Sequence, residues 1–230
     1  MAHQRSTISK RDLNWYLKNK FLPNLGKEWL LNQNDAVLRQ SDLLIQGFYF
    51  DRSSYSRQFV PWYFVQILSI PRDHLVLNLG SRLKNGKGAD LWLDWAPEDD
   101  NLVRNILDLY KQQTDPPIDK PLTFRRVIHY IEKAHNKVEH FYNFWTLGIL
   151  YGLHDQLEGA RKRFELAIKD LRNRAAEWEK KGKEPPDWIE ANITSISKFL
   201  SNLRTVNEFH GYCEEQASQT ATALKLPNPL

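Results

Sequence analysis

The sequence is short of cysteine, of long apolar runs and of one-signed charge, and each shortage closes off a class of function. Cys213 is the only cysteine in 230 residues. No internal disulfide and no cysteine zinc site can form, and a reduced, cytoplasmic setting is expected. The longest apolar stretches, such as Val60–Leu68, are interrupted by Pro61 and Gln66. They fall far short of the ~20 residues that a membrane-spanning helix requires, so no membrane partner is expected. Met1–Lys10 is polar and lacks the apolar centre of a signal peptide. The formal charge of +4 is spread evenly, +2 over residues 1–115 and +2 over 116–230. An even spread argues against the basic face of a dedicated nucleic-acid binder.

Familiar catalytic motifs are missing too. Asn85–Gly88 is glycine-rich but lacks the lysine and hydroxyl ending of a phosphate-binding loop. No Gly-x-Ser-x-Gly elbow occurs. Cys213 is followed by Glu214 and Glu215, and neighbouring anions raise a thiol pKa, which disfavours a nucleophile.

Aromatic residues are plentiful, at 12% with eight tryptophans, and such side chains serve both cores and interfaces. Ser9 with Asp12 three residues on predicts a helix start. Leu13, Trp15, Tyr16, Leu17, Phe21 and Leu22 continue it to Pro23. Ala36–Leu38, Leu43–Asp51, Trp62–Ile70 and His74–Leu79 read as strands, as does the alternation of Leu91, Leu93 and Trp95 with Asp90, Trp92 and Asp94. The short connections require antiparallel pairing. After the acidic start Pro97–Asp100, the residues Leu102, Val103, Ile106, Leu107 and Tyr110 return at helical spacing.

The proline-rich stretch Thr114–Pro121 marks a boundary. Beyond it, Val127, Ile131, Ala134, Val138, Phe141, Trp145 and Gly148 form one long stripe. A second helix runs from Gln156 to Lys180. A third, opened by Asp187 with Glu190 as a capping box, carries its stripe from Ile189 to Phe209. The expectation is an α+β chain: an α/β domain with an antiparallel sheet over 1–113, a linker over 114–122, and antiparallel long helices over 123–230. Leu224–Leu230 holds two prolines and reads as a frayed tail.

Leu147, Gly148, Tyr151, Ala160, Phe164 and Ala167, with Phe144 at the first large position, fall at the spacing of the tetratricopeptide consensus. The stretch Phe144–Ala167 resembles a single tetratricopeptide-like hairpin. The resemblance implies that Gly148 and Ala160 allow close approach while Tyr151 and Phe164 fill the groove. The hairpin is either a repeat unit or part of a continuous bundle. In the N-terminal half, Gly47–Phe50 and Tyr63–Leu79 resemble uncharacterised bacterial α/β domains. No residue roles come with that likeness.

Several clusters invite chemistry. Glu132 and His135 are a Glu-x-x-His pair, with Glu139, His140 and His154 nearby, but a di-metal bundle site needs two such pairs. Asp90 and Asp94, with Lys84 and Lys87, lack the following acid–lysine strand of a metal nuclease. Both groups read as solvated polar faces, and no metal or cofactor is expected. Arg204 and His210 match the Arg-x₄₋₆-His spacing of helical ribonucleases of bacterial defence systems. Arg161, Lys162 and Arg163, like Lys180, Lys181 and Lys183, are basic groups interleaved with acids.

The leading expectation is a non-enzymatic protein-binding or adaptor protein, in a setting of bacterial defence or toxin neutralisation. Its partner would dock on Trp62, Trp92 and Trp95, or along Tyr142, Trp145 and Tyr151. The alternatives are a ribonuclease using Arg204 and His210, or an RNA-binding accessory module using Arg161, Lys162 and Arg163.

Overall fold

The computed structural model describes residues 7–32, 36–114, 118–134 and 140–226. Its class is α+β, an antiparallel sheet of six strands followed by a helical region. The described residues fall into two compact units: those within 7–66, 72–122 and 223–226 form the sheet unit, and those within 67–71 and 123–222 the helical unit. Two short segments thus lie outside the contiguous ranges read from the sequence.

In the sheet unit, α1 (Lys10–Tyr16) starts at Ser9, whose Oγ accepts from Asp12 N at 3.0 Å. It passes into a π-helical turn, Leu17–Phe21, closed by Leu22 N donating to Leu17 O, and then a 3₁₀ turn, Leu22–Asn24. The strands are β1 (Trp29–Asn32), β2 (Ala36–Ser41), β3 (Leu44–Arg52), β4 (Gln58–Ile67), β5 (Leu79–Arg82) and β6 (Leu93–Asp94). Their order is β1-β2-β3-β4-β5, and β6 pairs with β4. Strand β1 was not foreseen. Residues 74–78, expected as strand, are not; Val76 N instead donates to Gln66 Oε1 at 2.9 Å. The stretch from Asp90 to Trp95 forms only the two-residue β6.

One sheet face carries an aromatic core. Phe48 lies 4.5 Å from Tyr110, 5.4 Å from Phe21 and 5.1 Å from Trp29, ring centre to ring centre. Tyr110 belongs to α2 (Asp100–Gln113), which Asp99 caps. Arg39 is buried beside this core. It donates to Glu28, to the carbonyls of Ile118 and Lys120 and to Gln46, and lies 4.9 Å over Trp29. A buried guanidinium is tolerated only when its donors are met in this way.

The helical unit comprises α3 (Phe124–Ala134), α4 (Phe141–Leu153), α5 (Leu157–Lys180), α6 (Asp187–Ser201) and α7 (Val206–Ala223). Two expected long helices are each divided. His140 is extended and caps α4, and Asp170 Oδ2 accepts from Phe141 N at 2.9 Å. Thr205 Oγ1 accepts from Glu208 N at 3.2 Å at the start of α7. Asp187 is the first residue of α6 rather than its cap, and Pro186 precedes it.

Helix α4 is the buried centre of this unit. It forms a hairpin with α5 through a turn at Asp155, whose φ is +61°. A methyl at Gly148 would sit 2.5 Å from the Phe164 ring, and one at Gly152 2.2 Å from Phe209. Glycine at both positions sets how closely the helices approach. The expected tail Leu224–Leu230 is described only to Leu226, and Leu224 and Leu226 are buried.

Candidate partner-binding surface

The most organised polar group on the sheet unit is built around Arg82. Strand pairing sets Arg82 beside Trp62, and its guanidinium lies 4.8 Å over the indole. Gly80, on the same strand, leaves room for that indole: a methyl there would meet Trp62 Nε1 at 2.7 Å. Arg82 Nη2 donates to Asp51 Oδ2 at 2.6 Å, and Nη1 to Asp90 Oδ2 at 2.7 Å. Lys84 Nζ donates to the other oxygen of Asp90.

These donors have a clear electrostatic effect. The Lys84 and Arg82 hydrogen bonds hold the Asp90 carboxyl below its ordinary pKa. Asp90 in turn raises that of Arg82. The loop between Lys84 and Asp90 is pinned by Asn85 Oδ1, which accepts from Lys87 N and Ala89 N, and by Gly88 at φ +82°. A few residues on, Gln58 Nε2 donates to Asp94 Oδ1 at 3.0 Å. Asp90 and Asp94, whose group lacks the pattern of a metal nuclease, are both engaged by the protein's own donors. Among the described residues no cluster of His, Cys, Asp and Glu could hold a metal ion.

Trp92 stands between those two anchored aspartates in the chain and is 41% exposed. Trp62 is half-buried under Arg82. Trp95 turns towards the core, 5.2 Å from Tyr16 and 6.1 Å from Phe59. Of the three expected sheet-unit anchors, only Trp92 offers an open indole. The sequence reading also passed over Arg82 and Asp51. The usable signal was the opposite charge of Lys84 and Asp90 across the Asn85–Gly88 turn, with Arg82 two residues before Lys84.

Compared with protein-family models, curated proteins and solved structures, the chain has no match.

In the helical unit, Tyr142 and Trp145 are 2% and 1% exposed. They fill the core and cannot act as surface anchors, a correction to the expected groove; Trp145 lies 6.0 Å from Phe199. Tyr151 remains half-exposed. Its hydroxyl donates to Glu132 Oε1 at 2.5 Å, with Arg163 3.6 Å from Glu132 and 5.8 Å from the Tyr151 ring. Burial, then Glu132, raises its pKa. Glu132 is thereby committed, while His135 and Glu139 lie outside the described residues. His140 caps α4, and burial lowers its pKa.

The basic triplet is divided. Arg163 is held by Glu132, and Arg161 donates to Leu203 O at 3.4 Å; of the three, Lys162 is the exposed one. Arg204 is exposed on the turn between α6 and α7. His210 Nε2 lies 3.4 Å from Asp155 Oδ1. Cys213 is buried, and burial raises its pKa far above the thiolate-forming range. No helix among the described residues is long and apolar enough to cross a membrane.

Proposed function

We propose that this is a non-enzymatic interaction protein that docks a protein partner on the sheet unit around Trp92. The observation that supports this reading is an exposed indole flanked by carboxylates already fixed by Arg82, Lys84 and Gln58. Trp and Arg are the side chains that most often dominate interface energetics. A surface held in place beforehand loses little conformational freedom on binding. The likeness to bacterial α/β domains supports a setting in defence or toxin neutralisation.

The test is a photo-crosslinking amino acid placed at position 92 and, separately, at 178, where Trp178 is 38% exposed in the helical unit. The 92 variant is expected to trap one discrete partner in the native cell, and the 178 variant not. Equal trapping at both positions, or none at 92, would overturn the reading.

A second reading, a ribonuclease using Arg204 and His210, draws support from the Asp155 carboxylate lying 3.4 Å from His210 Nε2, where it can orient the ring. Labelled single-stranded RNA decides it. Cleavage that survives His210→Ala, or no cleavage at all, removes it. The RNA-binding alternative calls for affinity that falls steeply with salt.

A further inference from the structure

Among the described residues, Trp29, Trp62 and Tyr151 each carry an arginine on the ring, and each of those arginines is also held by a carboxylate. Arg39 lies 4.9 Å over Trp29 and donates to Glu28 Oε1 at 3.0 Å. Arg82 lies 4.8 Å over Trp62 and donates to Asp51 and Asp90. Arg163 lies 5.8 Å from the Tyr151 ring and 3.6 Å from Glu132. The physics is the same each time. The π face attracts a cation. A guanidinium is flat enough to rest on a ring while its N–H groups reach a carboxylate beside it.

Trp92 and Asp94 have the ring and the acid of such a set without its arginine. Gln58 and Trp62 are four residues apart in β4, so they share a face of the sheet. Asp94 is the register partner of Gln58, and Arg82 that of Trp62, which puts Asp94 and Arg82 on that face as well. Trp92, two residues before Asp94, follows by the same alternation. Both are exposed, while Leu91, Leu93 and Trp95 are partly covered. The backbone is held on either side of the indole: Leu91 N donates to Leu83 O and Trp95 N to Arg57 O, each at 2.8 Å. No cation among the described residues lies over Trp92. Asp94 accepts from Gln58 through Oδ1 only, and its Oδ2 meets no donor among the described residues. Asp90 differs, for Arg82 and Lys84 take both of its oxygens.

We propose that the protein partner docking at Trp92 supplies the missing guanidinium: an exposed arginine that lies over the indole and donates to Asp94 Oδ2. This rests on the docking reading above and names the chemistry of its partner. Gln58 holds Asp94 by one oxygen, so the other meets an incoming donor with little further ordering. An ionised carboxylate beside the ring repels phosphate, which makes a nucleic acid the poorer occupant. A lysine brings the charge without the flat fork, so arginine is favoured over it.

The experiment titrates the isotope-labelled full chain with acetylated pentapeptide amides, Gly-Ser-Xaa-Ser-Gly, and follows the indole N–H resonances by NMR. Xaa is Arg, Lys, trimethyllysine or citrulline, the last keeping the shape of arginine without its charge. Trp92→Phe assigns the Trp92 signal, and Trp188, 45% exposed, is the internal reference. The arginine peptide is expected to shift the Trp92 signal and to bind about fivefold more tightly than the citrulline peptide. Asp94→Asn should bring arginine down to the citrulline level, and Asp94→Glu should restore most of the difference. An unmoved Trp62 signal in both variants reports an intact sheet. Equal binding of arginine and citrulline, tighter binding of trimethyllysine, equal shifts at Trp188, or no binding would each overturn the proposal. A partner trapped at position 92 without any arginine preference removes this inference and spares the docking reading. An arginine preference with nothing trapped at 92 removes the docking reading and leaves the guanidinium site.

Discussion

The two units handle their arginines differently. In the sheet unit, Arg39 reaches Glu28, Gln46, Ile118 and Lys120, and Arg82 joins Asp51 to Asp90. Each ties together strands and loops far apart in sequence. In the helical unit, Arg174 pairs with Asp170 four residues away at 2.9 Å, while Arg163 reaches Glu132 at 3.6 Å and Arg161 the Leu203 carbonyl at 3.4 Å. The close approaches there depend on glycine set against phenylalanine, at Gly148 and Gly152. A twisted sheet with short strands leaves loops to be anchored, and long side chains with several donors can do it. Helices satisfy their own backbone, so their association turns on shape. In the sheet unit single arginines gather several partners at once, whereas in the helical unit the closest contacts between helices are set by shape.

That contrast can be broken first at Arg39. Arg39→Met is expected to lower the unfolding free energy by about 3 kcal/mol, because removing one member of a buried, hydrogen-bonded charge set strands its partners. Urea denaturation followed by near-ultraviolet circular dichroism would measure it. A loss below about 1 kcal/mol, typical of exposed ion pairs, would erase the distinction.

The next test is on shape. Gly148→Ala should cost about 2 kcal/mol, since the added methyl forces the buried Phe164 ring to move. Gly159→Ala, in the same hairpin, places its methyl 3.5 Å from Tyr151, an ordinary contact. It should raise stability by about 0.5 kcal/mol through the lost freedom of the unfolded chain. Thermal melts of both variants give the comparison, and equal shifts would show that close approach at Gly148 carries no weight.

The smallest effect concerns Asp90. Its folded pKa is held below the unfolded value by Lys84 and Arg82. The resulting stabilisation is fully present above the unfolded carboxylate pKa of about 4, and is lost as pH falls through the depressed folded value. Asp90→Asn should therefore be less stable than the parent at neutral pH, and the two should converge in acid. Parallel urea titrations down the pH scale would show it, and a gap that persists at the acid end would refute it.

Local chemistry was legible in the sequence. Ser9 and Asp12 announced α1, and Asn85–Gly88 announced its turn. The α+β class followed from the change of hydrophobic period near Pro97. Breaks at His140 and Asn202–Thr205 were not legible, because the apolar stripe stays in phase across each, and no glycine or proline marks the interruption. Strand β1 is four residues long, too short for alternation to stand out. The exposure of a tryptophan is a tertiary property. Trp145 and Trp92 look alike as letters, yet one is core and the other surface. Trp15 falls off the stripe that Leu13, Tyr16 and Leu17 bury, and so faces out from α1.

The segments exchanged between the units bear on biogenesis. Asn32 Nδ2, at the end of β1, donates to Leu224 O at 3.1 Å, so a residue near the start of the sheet waits for one 192 positions later. On a ribosome emitting about 5–20 residues per second, the edge of the sheet would stay unfinished until the helices had been synthesised. A gene split after Leu122 would separate each half from a strip of chain that it needs. The two units are better regarded as one translational product that closes late than as a pair of detachable modules.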